Sequence, residues 1–480
     1  MGTPVNIPIA NGYYISESLP ISSQECTNWY PNIVQTQGLN QETLLGTPGL
    51  NQLTTTGAVQ EINRGAHVKN GIPYFVNGTT LYRLDRTINP DLSESFSTVA
   101  LGTIPGTGGV SMADNGTQLM ILVPGGDGFI YNEDAGTPFQ QITAPGFTAN
   151  GNPQYVVFID SYFAVTTDTK KFIISSSNDG LSWNALDFGT AEADPDTIVA
   201  PFVFSNQLFI LGSETIEVFQ NLGGAFFPFQ RVNGFVVPKG LFAPLSVIGA
   251  SNSFMFIGGG TDESPAVWQL VGSNAVKVSN TAIDFALSQA SDSDIDSAFS
   301  WSYSQKGAYF IAFTVGDRTF VFDTVTSRWH ERKSRLNNID TRFRVNSLVS
   351  AYGRVLVGDL VDGRIGEMDS DIYMEYGEVI RRVVTSPNFF GGGRVAKVEV
   401  ICESGVGNSD RANPVISMDV SDDGGRTFEY EKIRAIGKIG EYGRRAIFRK
   451  LGRFPMNRMV RFKFSDPVKP VIIKVEASIA

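Results

Sequence analysis

Residues 309–323 read YFIAFTVGDRTFVFD, two runs of aromatic and β-branched residues meeting at Gly316-Asp317. Such runs suit a pleated surface, and Gly-Asp tolerates the positive φ of a tight primed turn, so the stretch is a β-hairpin. The same construction recurs on both sides. It reads YFVNGTTLYRL around Asn77-Gly78, MILVPGGDGFIYN around Gly126, YFAVTTDTKKFII around Asp168, LFILGSETIEVF around Ser213, FMFIGGGTDESPAVWQL around Thr261 and VLVGDLVDGRIGEM around Asp362. From Asn77 to Asp362 the turn centres are 49, 42, 45, 48, 55 and 46 residues apart. A four-stranded propeller blade occupies about 40–50 residues, and a radial array of small sheets leaves few long edges. The chain is therefore expected to be all-β, with a β-propeller-like repeat domain of six or seven blades. Two unrelated β-sandwiches are the competing arrangement.

Residues 1–55, before the repeats, are rich in Pro, Asn and Gln and carry NWYPN at 28–32 and GTPGL at 46–50. Pro31 and Pro48 favour extended or turn backbone. The segment is expected to form an extended N-terminal arm crossing to a neighbouring subunit, with Trp29 and Tyr30 as its contacts, and the propeller domain to span 56–380. Beyond residue 380 the runs lengthen and alternate: AKVEVICE, PVISMDVS, YEKIRA, RRAIFRKL, RMVRFKFS and VIIKVEAS. Alternation indicates sheets with one wet face, hence a C-terminal β-sandwich over 381–480. Helical spacing is best developed in TAIDFALSQA, where Ile283, Ala286, Leu287 and Ala290 share a face, so a short helix is expected between blades.

The formal net charge is −10, but its distribution says more than its sum. Residues 381–480 hold 19 Lys/Arg against 11 Asp/Glu, a balance of +8; residues 1–380 hold 19 against 37, a balance of −18. Opposite signs on two parts of one molecule favour head-to-tail or ring contacts, or an acidic partner for the basic part. The basic residues concentrate in Arg444, Arg445, Arg449, Lys450, Arg453, Arg458, Arg461 and Lys463. Without interleaved stacking aromatics or a nucleic-acid motif, subunit docking is a better reading of this cluster than direct DNA contact.

Composition bounds the remaining classes. At 480 residues core size is not limiting, and 50 Gly with 23 Pro suit many short strands and tight turns. Two cysteines, Cys26 and Cys402, supply no disulfide framework for a chain of this length. The opening MGTPVNIPIANGYY has neither a basic start nor a continuous apolar stretch, and no run approaches the roughly 20 apolar residues of a membrane helix. A soluble protein made in the cytoplasm, with no membrane span, is expected.

Candidate chemistry is sparse. SSSNDGLSW at 175–183 and VSDDGGRTF at 420–428 resemble Asp-boxes, hairpin turns in which a carboxylate or carboxamide binds turn N–H groups above a packed aromatic. Asn178 or Asp179 with Gly180 and Trp183 would play those parts in one, and Asp422 or Asp423 with Gly424 or Gly425 and Phe428 in the other. Such boxes decorate sialidase-like propellers, which makes a carbohydrate-binding or carbohydrate-cleaving protein of host recognition the alternative function. Sugar hydrolysis, however, needs a placed acid and nucleophile for which no local signature exists, so structural turns are the better reading. SDSDIDSA at 291–298 opens like a calcium loop but has Ser297 where the turn glycine belongs and Tyr303 where the bidentate Glu belongs. Only His67 and His330 are present, the latter expected to face solvent in SRWHER. GTGGVSMADNG and FFGGGR lack the strand and helix context of a phosphate loop. No catalytic residue, metal or cofactor is expected.

Several segments together resemble one family, the packaged-DNA stabilisation or tail accessory (tail hub, nozzle) proteins of short-tailed bacteriophages. They are NWYPN and GTPGL; GSETIEVFQN followed by VPKG; AVWQL; AIDFALSQ leading to AFSWSYSQKGAYFIAF and FVFDTVTSRWHER; VGDLVDGRIGEMD; and ESGVG, SDDGGRTF, GKIGEYGRRAIFRKLGR and FSDPVKPVIIKVEA. The resemblance implies a non-enzymatic virion protein of the tail, six copies of which form a ring below the portal and adaptor proteins. It would retain packaged double-stranded DNA until ejection, near a tail needle or plug and tailspike or fibre proteins. The family has no catalytic residues to carry across.

Overall fold

A computed structural model describes residues 3–34, 36–59, 61–191, 196–224 and 227–479. Strands dominate, and each of the seven hairpins read from the sequence becomes the central antiparallel pair of one blade. Blades 1 to 4 each run through four sequential strands, over residues 63–103, 111–141, 153–190 and 198–237. Blade 5 covers 240–277, and blade 6 is built on Phe299–Gln305, Ala308–Val315, Arg318–Asp323 and Arg328–Leu336. Blade 7 takes three strands from 345–369, and its fourth is Gly49–Val59, from before blade 1. The Asn77 carboxamide donates to the Gly363 carbonyl, and the lead strands Val345–Ala351 and Asn63–Lys69 pack together to close the circle, so the described residues form seven blades.

Apolar clusters fill the spaces between successive blades. Met120, Ile130, Phe163 and Trp183 pack between blades 2 and 3, and Phe209, Val218, Phe254 and Phe256 between blades 4 and 5. The period-2 pattern places these rings on facing sheets, which is why each repeat needs its neighbours. The expected helix forms over Thr281–Ser288 between blades 5 and 6, capped by the Asn280 side chain and burying Ala282, Ile283 and Leu287. Asp292–Asp296 forms a second, shorter helix with a Ser291/Asp294 capping box, so these acids start a helix instead of folding a cation loop.

The N-terminal segment departs from the expected arm. Thr3–Asn6, Trp29–Ile33 and Glu42–Gly46 join one sheet of the C-terminal sandwich, alongside Ala446–Arg449, Gly393–Cys402 and Val471–Ile479. Cys26–Thr27 pairs in parallel with blade 6 at Glu331 and antiparallel with Arg382–Thr385, which continues to Asn457–Phe464 and Val415–Ser421. One continuous sheet therefore runs from blade 6 into the sandwich through a two-residue strand. Trp29 and Tyr30 are 1% and 4% exposed within their own chain, Trp29 beside Phe464 and Tyr30 against Phe310. The reason is hydrophobic: two large aromatics in NWYPN gain more by filling the seam between the domains than by waiting for a partner.

Candidate functional site

The basic cluster of the sandwich is built on the hairpins that join its two sheets, and the structure divides it. Arg458 is 3% exposed, and its guanidinium grips Asp422 through two bonds of 2.6 Å while donating to the Leu451 carbonyl. Arg461 makes a second bidentate pair, with Asp419 at 3.0 and 2.7 Å, and lies 3.7 Å over the Phe428 ring. Lys463 joins the same Asp419 at 2.7 Å and reaches Glu431 at 3.2 Å. Burial pushes the Asp419 carboxyl up, but the hydrogen bonds from Arg461 and Lys463 outweigh it and hold the group below its ordinary range. These three cations are neutralised inside the domain and serve its stability.

The others face outward. Arg445 bonds Glu399 at 2.6 Å from an exposed position, whereas Arg444, Arg449, Lys450 and Arg453 are exposed and have no carboxylate partner among the described residues. Arg449 stands opposite Lys397 across the strand pair, and Lys432 reaches in between to bond the Arg449 and Lys450 carbonyls. Side-chain alternation separates Arg458, at a position that turns into the sandwich, from Arg449 and Arg453, at positions that turn out, whereas Arg461 and Lys463 share the outward side of their strand and are claimed by Asp419. Sequence spacing alone grouped all eight, because the carboxylates that claim Arg458 and Arg461 lie about 40 residues earlier in the chain.

The two Asp-box turns differ. Asp423 accepts from Ser421, from the Arg426 and Thr427 amides and from the Thr427 hydroxyl, and Gly425 takes φ +91°. Although burial raises the Asp423 carboxyl, the bonds from Thr427 and Ser421 hold it well below the usual carboxylate range. Phe428 receives Arg461 on its ring, so this turn also organises the cation pairs above. In the other turn Asp179 accepts from the Leu181 amide, the Gly180 amide donates to Gln118 of blade 2, and the Trp183 indole donates to the Gly180 carbonyl at 2.7 Å. Trp183 packs on Phe147, so here the turn fastens blade 3 to blade 2.

Burial rewrites the expectation for His330. It is 0% exposed, enclosed by Tyr30 and Phe310, and burial with the nearby Arg332 pushes its pKa down to about 3. Blade 6 is covered on that face by Tyr30, so what alternation marked as the wet side is a domain seam. His67 bonds Asp114 of blade 2 at 2.7 Å. Among the described residues no group of three or more His, Cys, Asp or Glu is arranged to hold a metal ion, and no helix is long and apolar enough to cross a membrane.

Sequence reasoning missed a buried charge network where blades 6 and 7 meet the sandwich. Arg332 is 0% exposed, 3.9 Å above Phe343, and donates to the Pro48 carbonyl at 2.9 Å. Arg344 pairs with Asp359 at 2.5 Å, both fully enclosed. Glu375 accepts from Ser334, and burial raises its carboxyl above the ordinary range. Arg382 is also enclosed, and burial together with Arg332 pushes its pKa down to about 9. The alternation in SRWHER points His330 to solvent; only the N-terminal strands crossing over blade 6 reveal why this stretch is dry.

The comparisons agree with this two-part architecture. A family model described as Bacteriophage P22 Gp10, beta-propeller, matches residues 5–373, and one described as Bacteriophage P22 Gp10, beta-sandwich, matches residues 382–480. No curated protein matches the chain. Solved structures with some likeness include the WD40 beta propeller domain of Doa1, at 12% identity over 67% of this chain and 97% of that one with a TM-score of 0.39. The N-terminal domain of Nup159 gives 10%, 72%, 99% and 0.41, and the computationally designed Ika8 protein 11%, 66%, 99% and 0.36. At these scores the likenesses carry no argument. With the two models matching residues 5–373 and 382–480, over the propeller and the sandwich respectively, the chain belongs to the P22 Gp10 family of phage-stabilisation proteins, structural components of the virion.

Proposed function

We propose that this chain is a tail hub or nozzle subunit: copies of it form a closed ring, of six, below the portal and adaptor proteins, retain packaged double-stranded DNA and provide the channel for its ejection. The observation that carries the reading is the charge division between an acidic propeller region and a sandwich whose outer edge presents Arg444, Arg449 and Lys450 with no carboxylate partner among the described residues. Cyclic symmetry repeats one heterologous contact, which opposite charges on one molecule supply. An acidic lining repels phosphates, so DNA would pass without sticking. The sheet shared between blade 6 and the sandwich supports a stiff body that holds channel and docking edge in fixed relation. A tail needle or plug would close the exit below, with tailspike or fibre proteins near it.

In this reading the protein performs no bond chemistry. The carbohydrate alternative loses its support at the two Asp-boxes, whose polar groups are engaged in their own turns and in blade contacts. The test is reversal of Arg444, Arg449 and Lys450 to Glu. Particles should then fail to incorporate the protein while the purified chain melts as the wild type does; normal incorporation would contradict the proposal. A glycan array and a hydrolysis assay should both be blank.

A further inference from the structure

The FFGGGR segment ends in a feature that docking through the outer edge leaves unused. Phe389 and Phe390 pair with Arg458 and Asn457, Gly393 and Arg394 pair with Phe454 and Arg453, and the Gly391 amide donates to the Met456 carbonyl at 3.1 Å. The result is a two-stranded tongue at the margin of the sandwich. Its crest is apolar, with Phe390 68% and Met456 71% exposed. At its base Arg394 and Arg453 face each other directly across the strands, both exposed, with no carboxylate partner among the described residues. Like charges directly opposite in a ladder are destabilising. Arg, Met and aromatic residues are also those enriched at the centres of protein interfaces.

The same chain carries a cleft of complementary chemistry. About 760 Å³ in volume, it opens beside the central turns of blades 3, 4 and 5 and the short helix after them. Leu241, Phe242 and Ile295 give it apolar walls, and Asp168, Asp292 and Asp296 stand exposed around it. Asp168 accepts from the Asn152 amide and carboxamide; no cation neutralises these three carboxylates among the described residues. The tongue is not among the residues lining this cleft in its own chain.

We propose that the tongue of one copy seats in the acidic cleft of the next, Phe390 and Met456 against the apolar walls and Arg394 and Arg453 against the three aspartates. The contact is heterologous, so rotation about one axis repeats it until the ring closes. This rests on the ring-forming reading above, and it assigns that ring's contact to particular residues. The occupant is a second copy because the complementary charge and apolar surface are present on this chain itself.

Particles produced with variants of the protein provide the test. Met456→Cys with Asp292→Cys should give oxidation-dependent covalent multimers, since Cys26 and Cys402 are buried and do not compete. Arg394→Glu with Arg453→Glu should lower incorporation at least ten-fold while the purified monomer keeps its melting temperature. Adding Asp168→Arg, Asp292→Arg and Asp296→Arg should restore it. Unchanged incorporation of the arginine variant, or loss that the aspartate reversals do not restore and that comes without cross-linking, overturns the contact; the second outcome would give the tongue to another tail protein. Absence of the wild-type protein from particles would instead bring down the functional reading as well.

Discussion

Blades 1 to 4 and the region from blade 6 onward are made by different rules. Each early blade is one continuous stretch whose four strands pair in sequence order, and its contacts are mainly with the blades on either side, blade 1 also meeting blade 7 where the circle closes. The later region borrows: blade 7 takes Gly49–Val59, blade 6 is extended by Cys26–Thr27, and the sandwich takes Thr3–Asn6, Trp29–Ile33 and Glu42–Gly46. A stack of local repeats can bend or peel one unit at a time. A region sewn together by strands from the other end of the chain gives way as a whole, and the buried network of Arg332, Arg344, Asp359, Glu375 and Arg382 sits there.

That difference predicts a graded set of outcomes. The largest is for Trp29→Ala, which empties the domain seam beside Phe464 and should cost about 3–5 kcal/mol, read as a shift of the urea midpoint with the sandwich signal lost first. Arg344→Ala leaves Asp359 buried and unpaired, also at roughly 3–5 kcal/mol; a loss under about 1 kcal/mol would show that water reaches the network. Hydrogen exchange should then separate the two regions, with blades 1 to 4 staying protected in both variants.

His330 adds a pH dependence to the sewn region. It is neutral when folded, with a pKa near 3, whereas unfolded it takes up a proton near 6.5. The unfolded state therefore binds more protons between these values, and stability falls as pH drops below about 6.5, by up to roughly 1.4 kcal/mol per pH unit. Replacing His330 with Leu should flatten that slope. Asp423 acts in the same direction at lower pH: its folded pKa is depressed, so its contribution is present above the ordinary carboxylate range and fades as pH falls below it. Asp423→Ala should cost about 1–2 kcal/mol at neutral pH, since several turn donors lose their acceptor. The smallest effect is for Arg449→Glu, within about 0.5 kcal/mol on the monomer.

The same division explains what the sequence disclosed. All seven central hairpins were legible, because a blade is specified by contacts between neighbours in sequence and punctuated by Asn77-Gly78, Gly316-Asp317 and their counterparts. The sandwich strands were legible from alternation. The destination of NWYPN was not: Pro31 signals extended backbone but says nothing about which sheet that backbone will join. His330 and the Arg332–Glu375 network were misread or missed for one reason, that the strands covering them come from some 300 residues earlier. The basic cluster was found as a cluster, yet its division into internal pairs and free edge depended on Asp419 and Asp422 across the sheet.

The central claim is that this two-part body is a ring-building element around a genome exit, and electron microscopy of the purified protein mixed with the portal–adaptor complex addresses it most directly. A six-fold annulus seated on the distal end of that complex is the predicted image. Isolated monomers beside an undecorated portal–adaptor assembly would contradict the account.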